Sequence, residues 1–247
     1  MPPRICVIGA ASRSFGLSTL AAVLRTPELR GSEIRLVDVR KDELALIARL
    51  GERLNRQWDA QCRIRHSTDR VELLPNCDFV VVSVAVDRWE RWKLDHEIAL
   101  RRGIYHLAEN GGPGAFAHTV RNLQIAMPIF LDVEQMAPEA ILFNFTNPVP
   151  RITLAACRYA NLQAYGVCHQ INYGYRIVGY LLRDRLGVEA PDDFDDPHDP
   201  KIQKAISACR AKALERVDIK AAGLNHFTWM LSVTDKQTGE DLYPLLM

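Results

Sequence analysis

The stretch Arg4-Ile-Cys-Val-Ile-Gly-Ala-Ala-Ser-Arg-Ser-Phe-Gly16 decides the fold. Its first five residues form a short apolar, β-branched run that ends on Gly9, and small residues then lead into apolar positions at helical spacing from Gly16 to Arg25. A strand, a tight turn and a helix in that order open a nucleotide-binding unit. The turn backbone there must come close to a pyrophosphate, and the amides of the next helix face the anion, so the chemistry calls for small residues. Gly9, Ala11, Ser12 and Arg13 are the candidate residues on the phosphate side. Ala11 stands where the second fingerprint glycine would be, and the last glycine is displaced to Gly16.

Working outward, Glu33–Val37 reads as a second strand closed by Asp38, 29 residues beyond Gly9. A carboxylate at that strand end accepts hydrogen bonds from ribose hydroxyls and repels a 2′-phosphate, which favours NAD over NADP. A tight turn followed by a strand-end carboxylate, with no nucleotide, fits the same residues. A helix is expected over residues 41–58, a short strand over 63–66 and a strand covered on both faces over 79–84. Residues 89–101 and 117–135 read as helices, the second kinked or restarted at Pro128. Strands follow over 140–145 and 162–167, with a helix between them from near Pro148. These alternating units predict an α/β, Rossmann-type, doubly wound parallel sheet over residues 1–167. Residues 168–247 read as the beginning of an α+β substrate domain: helices over 171–185 and 201–217, an acidic proline-broken loop over 191–200, and strands over 218–224 and 227–233.

Composition narrows the function. The chain has 247 residues, 48% hydrophobic and 25% charged, with 31 basic against 30 acidic side chains. A net charge of +1 argues against nucleic acid or an anionic membrane as the main partner. The longest apolar run is far shorter than the ~20 residues of a membrane helix. Six scattered cysteines without a CxxC pair suggest reduced thiols in a cytoplasm.

Three strand ends carry chemistry. Thr146-Asn147-Pro148 places an amide where it reaches a nicotinamide or a sugar hydroxyl, although Asn before Pro is also a favoured helix start. Cys168 with His169, and Asn225 with His226, close two further strands. A thiolate and an imidazole can hold a divalent ion with open positions, and a buried thiol with a capped histidine is the plain alternative.

Ile8-Gly9-Ala10-Ala11-Ser12, Leu36-Val37-Asp38, Ala108-Glu109-Asn110-Gly111-Gly112-Pro113-Gly114, Asn144-Phe145-Thr146-Asn147-Pro148, Gly166-Val167-Cys168-His169 and Gly223-Leu224-Asn225-His226 together resemble the family 4 glycoside hydrolases. That group includes alpha-glucosidases, alpha-galactosidases and alpha-galacturonidases. The resemblance implies a fold like that of lactate and malate dehydrogenases, a dimer or tetramer, and hydrolysis of O-glycosidic bonds that depends on NAD and manganese. In that reaction NAD oxidises C3 of the sugar, a base removes the C2 proton, and the glycosidic oxygen leaves. Water then adds, and the cofactor returns its hydride.

Carried over by position, Cys168 and His226 match the metal ligands, Asn147 and Asn225 the substrate contacts, and His169 the general acid. Histidine titrates near neutrality, and at that position it fits non-phosphorylated substrates. Glu109 matches the acidic residue that raises the basicity of the catalytic tyrosine. Trp92 stands at the position of a substrate-binding arginine, with Arg91 adjacent. The resemblance places the tyrosine base farther beyond His226 than this chain extends, so the expected content is the cofactor domain and the start of the substrate domain. A conventional NAD-dependent 2-hydroxy-acid or sugar dehydrogenase, and a non-catalytic nucleotide-binding fragment, stand as alternatives.

Overall fold

The computed structural model describes residues 2–12, 15–105, 112–192, 196 and 199–246. The chain divides into two compact units, Met1–Val167 and Cys168–Met247.

The first unit is built on a six-stranded sheet. Its strands are β1 (Arg4–Ile8), β2 (Glu33–Val37), β3 (Arg63–Ser67), β4 (Phe79–Val82), β5 (Ile141–Asn144) and β6 (Ala164–Gly166). Their order is β3-β2-β1-β4-β5-β6 and every pairing is parallel. This is the Rossmann arrangement expected from the opening stretch. The strands read as continuous apolar runs because both faces are covered. On one face Cys6, Ile8, Val80, Val82 and Leu142 pack with Phe130 and Val133 of α4 (Gly112–Met136) and Ile152 of α5 (Val149–Tyr159). On the other, Ile5, Val7, Ile34 and Leu36 pack with Leu20 and Leu24 of α1 (Gly16–Arg25) and Leu44 and Ala48 of α2 (Lys41–Gln57). Helix α3 (Arg88–Leu100) follows β4. Arg121 of α4 clamps Asp95 of α3 through two hydrogen bonds, at 2.9 and 3.1 Å.

Two sequence expectations are corrected. Helix α4 begins at Gly112 rather than near 117, and it does not restart at Pro128. Pro113 falls in its first turn, where a missing N–H costs nothing. Strand β4 stops at Val82, because the Val84 N–H donates to Thr146 Oγ1 at 2.9 Å instead of extending the ladder.

The second unit contains α6 (Gln170–Leu181), α7 (Pro200–Arg216) and the antiparallel hairpin β7 (Val217–Leu224) and β8 (Phe227–Asp235). Val178, Leu182, Ala213, Val217, Val233 and Leu242 form its core. Gly179 lets the helices approach: a Cβ there would lie 2.4 Å from the Cys209 carbonyl oxygen. All six cysteines are free thiols. Among the described residues no helix is long and apolar enough to cross a membrane.

Candidate functional site

The order of the sheet reverses between β1 and β4, and in such sheets the crevice beyond the carboxyl ends at that point holds the ligand. Gly9 closes β1 there with φ +84°. Its N–H and that of Ala10 both donate to the Val37 carbonyl, at 2.9 and 3.0 Å, which ties the turn to the end of β2. A Cβ on Gly9 would lie 2.1 Å from the Ser83 carbonyl oxygen, and one on Gly16 would lie 2.0 Å from that of Ala10. Only glycine lets these backbone segments meet. Ala11 is buried, and Ser12 lies 3.3 Å, Oγ to Oγ, from Ser83. Among the described residues helix α1 has no acidic residue in its first turn and no side-chain cap, and the Phe15 N–H that precedes it donates to Ser12 Oγ at 3.4 Å. Arg13 lies outside the described residues.

Asp38 is buried and anchored. Its Oδ2 accepts from Ala11 N–H at 2.9 Å and its Oδ1 from Arg40 N–H at 3.0 Å. The Arg40 guanidinium reaches back to the Ala11 carbonyl at 2.6 Å and stands 3.5 Å from Asp38 Oδ1. The carboxylate therefore holds the turn in shape and keeps lone pairs for a further donor. Sequence reasoning passed over Arg40, although its place two residues after a strand-end acid was a signal.

The loop after β5 is fixed by buried amides. Asn144 accepts from Thr146 N–H at 2.9 Å and donates to the Thr146 carbonyl, the Val149 carbonyl and Thr153 Oγ1 at 3.1, 3.3 and 3.1 Å. Asn122 of α4 donates to the Asn147 carbonyl at 2.5 Å and lies 3.4 Å from the buried His118. The Asn147–Pro148 peptide is cis. Asn147 does not cap α5: Pro148 holds that position and no side chain caps the helix. Its side chain is half-buried at the carboxyl edge of the sheet. Asn122 did not stand out in the sequence as more than a helix residue, and Asn144 only as the first residue of the Asn144–Pro148 stretch.

In the second unit the hairpin turns on two residues, Asn225 and His226, with His226 at φ 63°. Gly223, at φ +142°, makes room for the return strand, since a Cβ there would meet the Phe227 carbonyl oxygen at 2.4 Å. Gln170, in the first turn of α6, accepts the His226 N–H at 2.7 Å. This seats the turn against the start of α6 and brings Cys168 Sγ to 3.3 Å from His226 Nε2. With metal–thiolate and metal–imidazole bonds of about 2.3 and 2.1 Å, ligands at about 90–110° on one ion stand about 3.1–3.6 Å apart. The observed separation suits a shared ion. Among the described residues no group of three or more His, Cys, Asp and Glu side chains assembles. His169 is exposed at the cap of α6, next to Cys168, and Asn225 is half-buried beside His226.

Arg91, on α3, is exposed and faces Asp87 at 3.9 Å. Glu109 lies outside the described residues, as does most of the glycine-rich segment around it.

Comparison with known proteins follows the same lines. The model of the family described as family 4 glycosyl hydrolase matches residues 4–178. An alpha-glucosidase of Erwinia rhapontici is 31% identical over 246 residues, covering 98% of this chain and 48% of its own length. An alpha-galactosidase of Bacillus subtilis (strain 168) is 29% identical over 243 residues, covering 98% of this chain and 49% of its own. Among solved structures, a 6-phospho-alpha-glucosidase from gut microorganisms, crystallised with NAD and Mn2+, superposes with a TM-score of 0.73 at 21% identity. That match covers all of this chain and 50% of the other. The chain thus spans about half the length of the curated relatives it matches.

Proposed function

Because this chain belongs to the family 4 glycosyl hydrolases, we propose that it carries the cofactor-holding and metal-holding part of a glycosidase that cleaves O-glycosidic bonds with NAD and a divalent ion, manganese first among candidates. The observation that carries this reading is the 3.3 Å approach of Cys168 Sγ to His226 Nε2, on residues held by a hairpin turn and a helix start. The crystallised relative that holds NAD and Mn2+ supports the same pair of cofactors. When bound, NAD supplies reversible acceptance of a hydride and the ion supplies Lewis-acid polarisation of sugar oxygens.

The chain's own residues do the rest. The Gly9–Ser12 turn and the uncapped start of α1 receive the pyrophosphate, with Arg13 as a further contact. Asp38, already fixed by Ala11 and Arg40, accepts from the adenosine ribose hydroxyls. Asn147, its carbonyl pinned by Asn122, presents its side chain to substrate or nicotinamide. Asn225 and Arg91 are proposed substrate contacts. His169 donates a proton to the departing glycosidic oxygen, and Glu109 acts on the basicity of the group that removes the sugar proton.

Calorimetry with NAD and Mn2+ on this chain tests the reading first. Both should bind, and Cys168→Ser should weaken the metal without moving NAD; unchanged metal affinity removes Cys168 from the site. Where the tyrosine base is present together with this chain, the reading expects a glycoside turned over in D2O to carry deuterium at C2 of the released sugar, with no net NADH. Net NADH with one equivalent of oxidised product identifies a dehydrogenase instead.

A further inference from the structure

We infer that Asn122 and His118, one turn apart on α4, are positioning residues that hold Asn147 towards the nicotinamide half of the dinucleotide. This deepens the cofactor reading of the site and rests on it. Residues four apart on a helix are surface neighbours, and both of these side chains are buried. Asn122 Nδ2 lies 2.5 Å from the Asn147 carbonyl oxygen and 3.4 Å from His118 Nε2.

Those two contacts assign the protons. A carbonyl oxygen only accepts, so the nitrogen of the Asn122 amide, and not its oxygen, faces Asn147. That nitrogen carries two protons and accepts nothing; one goes to the Asn147 carbonyl and the other points at His118. His118 Nε2 therefore accepts, and the ring carries its proton on Nδ1. A proton on Nε2 would set donor against donor and loosen the amide from Asn147.

The rest of the loop is held as firmly. Asn144 accepts the Thr146 N–H and Thr146 Oγ1 accepts the Val84 N–H, both at 2.9 Å. The Asn147 side chain differs from these: it is half-buried and makes no hydrogen bond among the described residues. A fixed main chain beneath a polar side chain with its donors and acceptor to spare is a preorganised binding residue. The sheet order says which half of the ligand it meets. Asp38 follows β2 on one side of the β1–β4 reversal, and Asn147 follows β5 on the other. A dinucleotide laid across that reversal, with its adenosine at Asp38, brings its nicotinamide to the β5 side.

Calorimetry on the full chain with NAD and with ADP-ribose, which has the same adenosine and pyrophosphate but no nicotinamide, tests the inference. The unmodified chain should prefer NAD. Asn122→Ala should weaken NAD about tenfold and ADP-ribose by less than about twofold. His118→Gln brings an amide oxygen that can accept from Asn122 and should keep the preference, whereas His118→Leu, with no acceptor, should lose part of it. Nitrogen NMR of the histidine rings in the unmodified chain should show His118 protonated at Nδ1. Equal losses for the two ligands in Asn122→Ala overturn the positioning role, as does a His118→Gln that behaves like His118→Leu. A His118 ring protonated at Nε2 overturns it as well, even where Asn122→Ala fails to fold. If the unmodified chain binds NAD no more tightly than ADP-ribose, the inference falls and the cofactor reading stands; if it binds neither, both fall.

Discussion

Adding one methyl group at Gly9 puts the switch point of the sheet under direct strain. In Gly9→Ala the new Cβ meets the Ser83 carbonyl oxygen at 2.1 Å and its carbon at 2.7 Å, both of them backbone atoms that cannot rotate away. Relief requires β1 and β4 to part, which pulls on the Ser83 N–H bond to Ile8 at 2.9 Å and on the two bonds from the turn to Val37. The left-handed backbone at φ +84° costs an L-residue about 1–2 kcal/mol. Overpacking against fixed neighbours adds about 1–3 kcal/mol, for a sum of about 2–5 kcal/mol. For a unit of this size that lowers the thermal midpoint by roughly 4–20 °C. Gly103 is the internal control, with φ +71° and nothing within 4 Å of the place a Cβ would take, so Gly103→Ala carries the backbone cost alone. Urea unfolding of both variants, followed by intrinsic fluorescence, separates the two contributions. Equal destabilisation in the pair would refute the argument that close approach of the strands, rather than dihedral angle, demands glycine at position 9.

Four other outcomes follow from the same geometry. Asp38→Ala frees the Ala11 N–H and the Arg40 side chain, and should weaken NAD by roughly 10–100-fold, the worth of charge-assisted hydrogen bonds, with calorimetry as the readout. His226→Asn keeps a residue tolerant of φ 63° at the hairpin turn, so it should fold normally yet lose Mn2+ affinity by more than tenfold; retained affinity would clear His226 of a metal role. Asn144→Ala strands the Thr146 N–H and should cost about 2–3 kcal/mol in urea unfolding. The carboxyl of Asp235 is lowered from 3.8 to about 2 by Arg216, with help from the Gln237 and Thr238 amides. A carboxyl lowered on folding stabilises fully above its unfolded value, so this contribution should be present above about pH 3.8 and fade as pH falls towards 2. Urea midpoints across that window should lose part of their pH slope in Asp235→Asn.

Much of the architecture was legible because the first unit's strands are covered on both faces. The runs at Arg4–Ile8 and Glu33–Val37 have no other stable use, and they form strands at the bounds the sequence suggests. The errors came where local grammar was outvoted by tertiary contacts. Gly112-Pro113-Gly114 reads as loop, but Ala126, Ile129, Phe130 and Val133 bury the same helix deeply enough to carry it through Pro128. Val84 reads as strand, yet a threonine hydroxyl 62 positions away takes its N–H. At the candidate site, individual residues could be named, but their supports could not. Nothing in the spacing of Asn122 and Asn147, or of Gln170 and His226, signals a hydrogen bond between them. Such pairs exist only once the sheet or hairpin has fixed the backbone.

Cys168 and His226 face each other across 58 positions of sequence. An ion gripped by both would also act as a clasp, closing a loop of that length much as a disulfide does. Such a closure removes about 4 kcal/mol of chain entropy from the unfolded state if it is treated as a covalent link. Metal supply would then set how long the second unit survives heat or protease as well as whether the reaction runs, and chelation would be felt as loosening of α6 and the hairpin before any sugar is added.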